Sequence, residues 1–260
     1  MRIKFSLLII LLTSIFISCN NEVNKFENEI RLGIFGGMGP EATADLYKQV
    51  IKLTPATKDQ DHIPTLMYSM PQIPDRMASI RNDDLKLVPF LVDGLKRLEN
   101  AGASYIAIPC NTVHYFFNQM QEAISIPIIN MIKETVNEIS IKYPDLKSIG
   151  LLATTATIET KLYENELVSK GYKVIVPDNN MMQNVMKAIF GIKAGIDNQL
   201  NEDLLAAAGH QVIDKGAELI VLGCTEIPIA FNTERVNVPV VNATKVLAER
   251  AIQMYQELSK

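Results

Sequence analysis

Two distant stretches of this chain carry nearly the same pattern, and both end on a cysteine. Gly102-Ala-Ser-Tyr-Ile-Ala-Ile-Pro-Cys110 and Gly216-Ala-Glu-Leu-Ile-Val-Leu-Gly-Cys224 share a Gly-Ala start, an apolar run and a terminal Cys at the same spacing. Each reads as a buried strand that delivers a thiol to the loop at its carboxyl end. Upstream, Gly33-Ile-Phe-Gly-Gly-Met-Gly39 and Gly150-Leu-Leu-Ala-Thr-Thr-Ala156 are also short apolar strands running into small-residue loops, at nearly the same interval before their cysteines. Two half-chains with one order of landmarks predict an α/β fold of two pseudo-symmetric lobes.

Strand and helix patterns alternate through both halves. Expected strands are Ile30–Phe35, Thr65–Ser69, the run to Cys110, Ile126–Ile129, Ser148–Ala153, Lys173–Val176, the run to Cys224 and a short one at Val240. Expected helices run from Pro40 to about Lys52, Asp84 to Ala101, Val113 to Ala123, Met131 to Lys142, Glu159 to Lys170, Met181 to Phe190, Asn201 to Lys215 and Ala243 to Ser259. Ile227–Phe231 follows the second cysteine. Pro71–Arg76 reads as a loop, and Gly191–Gly195 as a connection between helices. This alternation predicts parallel sheets flanked by helices. Right-handed crossovers then gather Gly36, Met38, Gln72, Arg76, Cys110, Thr154 and Cys224 at the carboxyl ends of strands, where open α/β sheets bind ligands.

Composition excludes several classes. The net charge of −4, with mixed charges and no Trp, gives no basic surface for nucleic acid. His62, His114 and His210 have no metal-ligand spacing, so no metal is expected. Met1-Arg-Ile-Lys, the apolar run Phe5–Ile17 and Ser18-Cys19 form the three parts of an export signal, with an apolar core too short to span a bilayer comfortably. Ending on Ser-Cys, it resembles a bacterial lipoprotein signal with Cys19 as the lipidated residue, although Phe16 stands where such signals prefer Leu. An ordinary cleaved signal and an uncleaved anchor are the alternatives. The expected organisation is a signal at 1–19, a polar tether at 20–29, a first lobe from 30–125 plus 236–260, and a second from 126–235. Localisation follows as cell envelope or periplasm, with membrane contact only through an N-terminal lipid anchor. In an exported protein Cys110 and Cys224 could pair as a disulfide; their place after buried strands suits free site residues instead.

Pro109-Cys-Asn-Thr112 and Gly223-Cys-Thr-Glu226 each put hydrogen-bonding side chains and a helix start beside a thiol. Helix-start N–H groups favour anions and thiolates, so Asn111, Thr112 and Thr225 can hold a carboxylate while the cysteines flank the adjacent carbon. A thiol with an ordinary pKa near ~8.5 needs little help to ionise at neutral pH.

These motifs, with Gly36-Gly-Met-Gly-Pro40, Asp61-His-Ile-Pro64, Pro71-Gln-Ile-Pro-Asp-Arg76 and Gly150-Leu-Leu-Ala-Thr154, resemble the aspartate racemases of the aspartate/glutamate racemase superfamily from about Ile30 to the C-terminus. The resemblance implies racemisation without a cofactor in a cleft between the lobes, on a small amino-acid substrate and usually in a homodimer. By position, it implies that Cys110 and Cys224 are the two acid/base residues on opposite faces of Cα. Met38, Asn111, Thr112, Thr154 and Thr225 would hold the amino-acid head group, and Gln72 would touch ligand or cap its loop. Arg76 and Lys193 would receive a side-chain carboxylate, which favours a dicarboxylic substrate. Glu226 would tune its neighbouring thiol or bind the amino group, and His114 would be a supporting residue. Glutamate racemases open with Asp-Ser-Gly where this chain has Gly36-Gly-Met-Gly, and carry His where it has Glu226. Glutamate or broad-specificity racemisation and a non-catalytic lipid-anchored amino-acid-binding protein stand as alternatives.

Overall fold

Runs that are apolar on both faces become strands covered on both sides. Leu32–Gly36 (β1), Thr65–Ser69 (β2) and Tyr105–Ala107 (β3) pair in the order β2-β1-β3. Ser148–Ala153 (β4), Lys173–Ile175 (β5), Leu219–Gly223 (β6) and Val240–Asn242 (β7) pair in the order β5-β4-β6-β7. Every pairing is parallel, and β1, β3 and β6 are buried along their whole length, as parallel strands between helical layers should be. The computed structural model describes residues 29–196 and 198–260, of which Arg31–Lys260 form one compact unit. The expected signal, Cys19 and nearly all of the tether lie outside the described residues. Among those described, no helix is long and apolar enough to cross a membrane.

The helices are Pro40–Leu53 (α1), Arg76–Arg81 (α2), Val88–Asn100 (α3), Phe117–Glu122 (α4), Met131–Lys142 (α5), Thr155–Glu159 (α6), Leu162–Ser169 (α7), Asn179–Lys193 (α8), Asn198–Asp214 (α9), Ile227–Ala230 (α10) and Ala243–Leu258 (α11). The internal duplication reaches down to pairing. In the second sheet β7 extends the far edge of the cysteine strand β6. In the first, Ile128 makes a parallel bridge to Ile106 on the far edge of β3. The helix after each short segment then crosses over: α5 packs against α7 of the second half, and α11 against α1 of the first. The Tyr105 hydroxyl fastens the latter exchange by donating to the Ala251 carbonyl at 2.8 Å.

This pairing moves two expected boundaries. Ile128, assigned to the second lobe, bridges to the first sheet, and Val240–Asn242, assigned with 236–260 to the first lobe, belongs to the second sheet. Each fills the open edge of the cysteine strand that precedes it. Several helix limits also shift for local reasons. The Pro71–Arg76 loop gives way to α2 because the Asp75 carboxylate caps it, accepting from the Ala78 N–H at 2.8 Å. Pro89 falls in the first turn of α3, where its missing N–H has no partner to lose. Lys161, at φ 57°, splits the expected Glu159–Lys170 helix into α6 and α7. Helix α8 continues through Gly191 to Lys193, and Gly191 lets α9 approach: a side chain there would lie 2.5 Å from that of Asn201. Lys193 therefore sits on a helix end, not on a free connection.

Candidate active site

The strand-end loops of both sheets converge on one cavity of about 180 Å³. Met38 reaches it from the loop after β1, Arg76 from the first turn of α2, and Cys110, Asn111 and Thr112 from the end of β3. Across from them stand Thr154 after β4, Lys193 on the last turn of α8, and Cys224, Thr225 and Glu226 after β6. Ile189 and Phe190 of α8 supply apolar wall, and Asp75 and Met77 complete the lining. One expected lining residue is elsewhere. Gln72 is exposed and does not line the cavity, because the Pro-rich turn directs Ile73 rather than Gln72 into the core. His114, expected only as a supporting residue, lies buried behind the site against the Cys110 carbonyl.

Both thiols are free, buried and on the cavity wall, so the disulfide reading does not hold. Their surroundings differ. The Cys224 thiol donates to Glu226 Oε2 at 3.1 Å, and the Thr225 hydroxyl donates to the same oxygen at 3.3 Å. Glu226 Oε1 lies 3.4 Å from Lys193 Nζ, close enough for an ion pair but not aligned as a hydrogen bond. Burial and the Glu226 charge push the Cys224 thiol well above its ordinary range, with Lys193 pulling back. Burial alone would depress Lys193, yet Glu226 and the two thiols outweigh it and hold the ammonium above its usual value.

Cys110 is held through its backbone. His114 Nδ1 lies 2.8 Å from the Cys110 carbonyl and Nε2 lies 3.1 Å from the Met131 N–H. Nδ1 therefore donates and Nε2 accepts, which fixes the neutral tautomer. Burial depresses the His114 pKa below its ordinary value. Below about pH 6.5 the unfolded chain binds a proton there that the folded chain refuses, so stability falls as pH falls, by up to ~1.4 kcal/mol per pH unit. Urea unfolding at pH 7 and pH 5 should show this slope, and His114→Asn should remove its share; an unchanged slope contradicts the neutral buried imidazole.

The remaining polar groups form a preorganised floor. Asn111 Oδ1 accepts from the Tyr163 hydroxyl at 2.6 Å, which leaves its buried Nδ2 without a partner on the cavity wall. A buried, unpaired donor in a ligand-sized cavity is a place for an anion or carbonyl oxygen. The hydroxyls of Thr112, Thr154 and Thr157 form a triangle with 3.0 Å sides, joining the first half to the second. Thr154 also caps α6 by accepting from the Thr157 N–H at 3.2 Å. Among the described residues, Arg76 hydrogen-bonds only to backbone carbonyls, those of Pro74 at 3.3 Å and Met38 at 3.4 Å. Among the described residues no carboxylate pairs with it, whereas Lys193 is already committed to Glu226. The two cations expected to act alike are thus in different states.

Sequence reading missed Tyr163 and Thr157. Thr154 is an N-cap residue type, which places position 157 beside it; nothing local signals that Tyr163 reaches Asn111, 52 positions away. Taken together, the cavity offers two thiols from equivalent strand ends, an anion-accepting floor and a guanidinium without a carboxylate partner. That is a set able to hold an amino acid by its charged ends and exchange a proton at the carbon between them.

Known proteins are similar to this chain in sequence and fold. The broad specificity amino-acid racemase RacX of Bacillus subtilis (strain 168) is 30% identical over 228 residues, spanning 86% of this chain and 97% of that protein. The Picrophilus torridus aspartate racemase superposes with a TM-score of 0.77 at 29% identity, over 87% of this chain and 94% of the other. An aspartate racemase homologue from Pyrococcus horikoshii OT3 gives a TM-score of 0.70 at 25% identity, over 87% and 99%. Residues 35–251 match the Asp/Glu/Hydantoin racemase family. With that match spanning both cysteine strands and every residue that lines the cavity, the chain belongs to this racemase family.

Proposed function

We propose that this amino-acid racemase interconverts L- and D-aspartate by two-base proton transfer between Cys110 and Cys224, without pyridoxal phosphate. The observation that carries the reading is the pair of free, buried thiols at equivalent strand ends, lining one cavity with Arg76. One thiolate takes the α-proton while the opposing thiol supplies a proton to the other face; the reverse reaction exchanges their roles. Asn111 Nδ2 and the threonine hydroxyls serve the α-carboxylate, and Arg76 the side-chain carboxylate. Incubation with L-aspartate in D₂O, followed by NMR and chiral chromatography, should show deuterium at Cα and D-aspartate without added cofactor. No exchange with aspartate, glutamate, asparagine or alanine would end the catalytic reading.

A second reading has its own support. Lys193 is neutralised by Glu226, so one cation rather than two is available to a second carboxylate. This favours a wider substrate range, as in the Bacillus subtilis relative's name. Arg76→Ala separates the two. Loss of a charged hydrogen bond should lower kcat/KM for aspartate by about 10- to 100-fold and leave alanine turnover nearly unchanged. Equal losses on both substrates would count against side-chain recognition by Arg76. Homodimer formation and an envelope location through Cys19 belong to the same proposal; sedimentation of the purified chain and palmitate labelling of a Cys19→Ser variant test them.

A further inference from the structure

Cys224 and Cys110 face the same cavity, but among the described residues only Cys224 hydrogen-bonds to a carboxylate. Glu226 is 3% exposed, accepts from the Cys224 thiol, and is flanked by the Thr225 hydroxyl and the Lys193 ammonium. Gly39 leaves room for this carboxylate: a single added carbon there would stand 3.1 Å from its Oε1. The charged groups around this cluster come from several elements. Lys193 approaches from α8, Arg76 from α2 and Glu41 of α1 across an adjoining cavity that Lys193 and Glu226 also border. Asp75 lines the main cavity, and Tyr163 on α7 and Cys110 lie within electrostatic reach.

We propose that Glu226 is a positioning residue that holds the proton on Cys224, so that the empty site rests with Cys224 as the acid and Cys110 as the base. This rests on the two-cysteine reading above and adds a direction to it. A carboxylate at hydrogen-bonding distance favours a thiol over a thiolate, because the thiol donates to it and the thiolate repels it. Lys193 limits that bias without removing it, which leaves Cys224 able to ionise during turnover. From the resting form, the substrate Cα–H bond breaks with its proton passing to Cys110 Sγ and its electron pair to the carboxylate-stabilised carbanion. The Cys224 S–H bond then breaks, and its proton forms the new C–H bond on the opposite face. The product form holds a Cys110 thiol and a Cys224 thiolate. Loss of one proton from Cys110 to water and gain of one from water at Cys224 restores the start.

The test reads each thiol separately and needs no turnover. The full-length chain is alkylated with iodoacetamide across pH 6–11, and the Cys110 and Cys224 peptides are quantified by mass spectrometry. Glu226→Gln should move the Cys224 midpoint down by at least one pH unit, a tenfold or greater gain in reactivity below it. Glu226→Asp should return it part of the way. Lys193→Met should move it in the opposite direction, which keeps the test decisive if Glu226→Gln does not fold. An unmoved Cys224 midpoint in Glu226→Gln, a downward shift in Lys193→Met, or an equal shift at Cys110 overturns the proposal. A chain that shows the opposed shifts yet racemises no amino acid sinks the proposed function and leaves the proton-holding role standing.

Discussion

Replacing either Cys110 or Cys224 with alanine should reduce aspartate racemisation by about 10²- to 10⁴-fold or more, since each change removes one of two proton carriers. The residual behaviour is as informative as the loss. A chain with Cys110 alone can still remove the α-proton of one enantiomer, but it can return a proton only to the same face. In D₂O, Cys224→Ala should therefore exchange the α-hydrogen of one enantiomer with retention and leave the other untouched, while Cys110→Ala should show the opposite preference. Proton NMR on L- and D-aspartate in parallel reads this directly and assigns each cysteine to its enantiomer. Wild-type racemisation in either variant contradicts two-base transfer. The substitutions remove one sulfur atom from the cavity wall, so the fold should survive and far-ultraviolet circular dichroism should be unchanged.

The second large effect is on stability. Gly37 adopts φ +97°, and a Cβ there would lie 2.4 Å from both the N and C atoms of Met70. Those are backbone atoms, and the Met70 N–H is bonded to the Gly36 carbonyl at 3.1 Å. The Gly37 N–H is itself held by the Thr43 hydroxyl at 2.9 Å. With both partners pinned, Gly37→Ala should cost roughly 2–5 kcal/mol from left-handed strain and overpacking together. Gly171→Ala is the control: its φ is +88° but nothing lies within 4 Å, so only about 1 kcal/mol should be lost. Urea unfolding of the two variants separates sterics from backbone conformation; equal midpoints would refute the close approach. Because Met38 follows directly and lines the cavity, the surviving fraction of Gly37→Ala should also turn over more slowly.

Much of this architecture was legible because it is written twice. A strand that ends on Cys in each half, preceded at a similar interval by a strand that ends on small residues, requires only local patterns to be seen. Met38, Arg76, Cys110, Asn111, Thr112, Thr154, Lys193 and Thr225 could all be assigned to one site from strand-end position and from the racemase resemblance. What stayed hidden depends on chain reversals with no local signature. The sheet that β7 joins is decided by an open edge, not by Val240 itself. The pairing of Lys193 is decided by Glu226, which lies on a different element. Gln72 was misplaced because a turn's polar residue carries no mark of which way the turn faces.

The crossed helices have a consequence for how the chain is made. Helix α11 ends at Leu258 yet packs on α1, and Tyr105 waits for the Ala251 carbonyl. The first half does not complete its own packing until the 16 residues of Ala243–Leu258 are in place. The first half and the closing helix therefore complete one compact unit together, not one after the other.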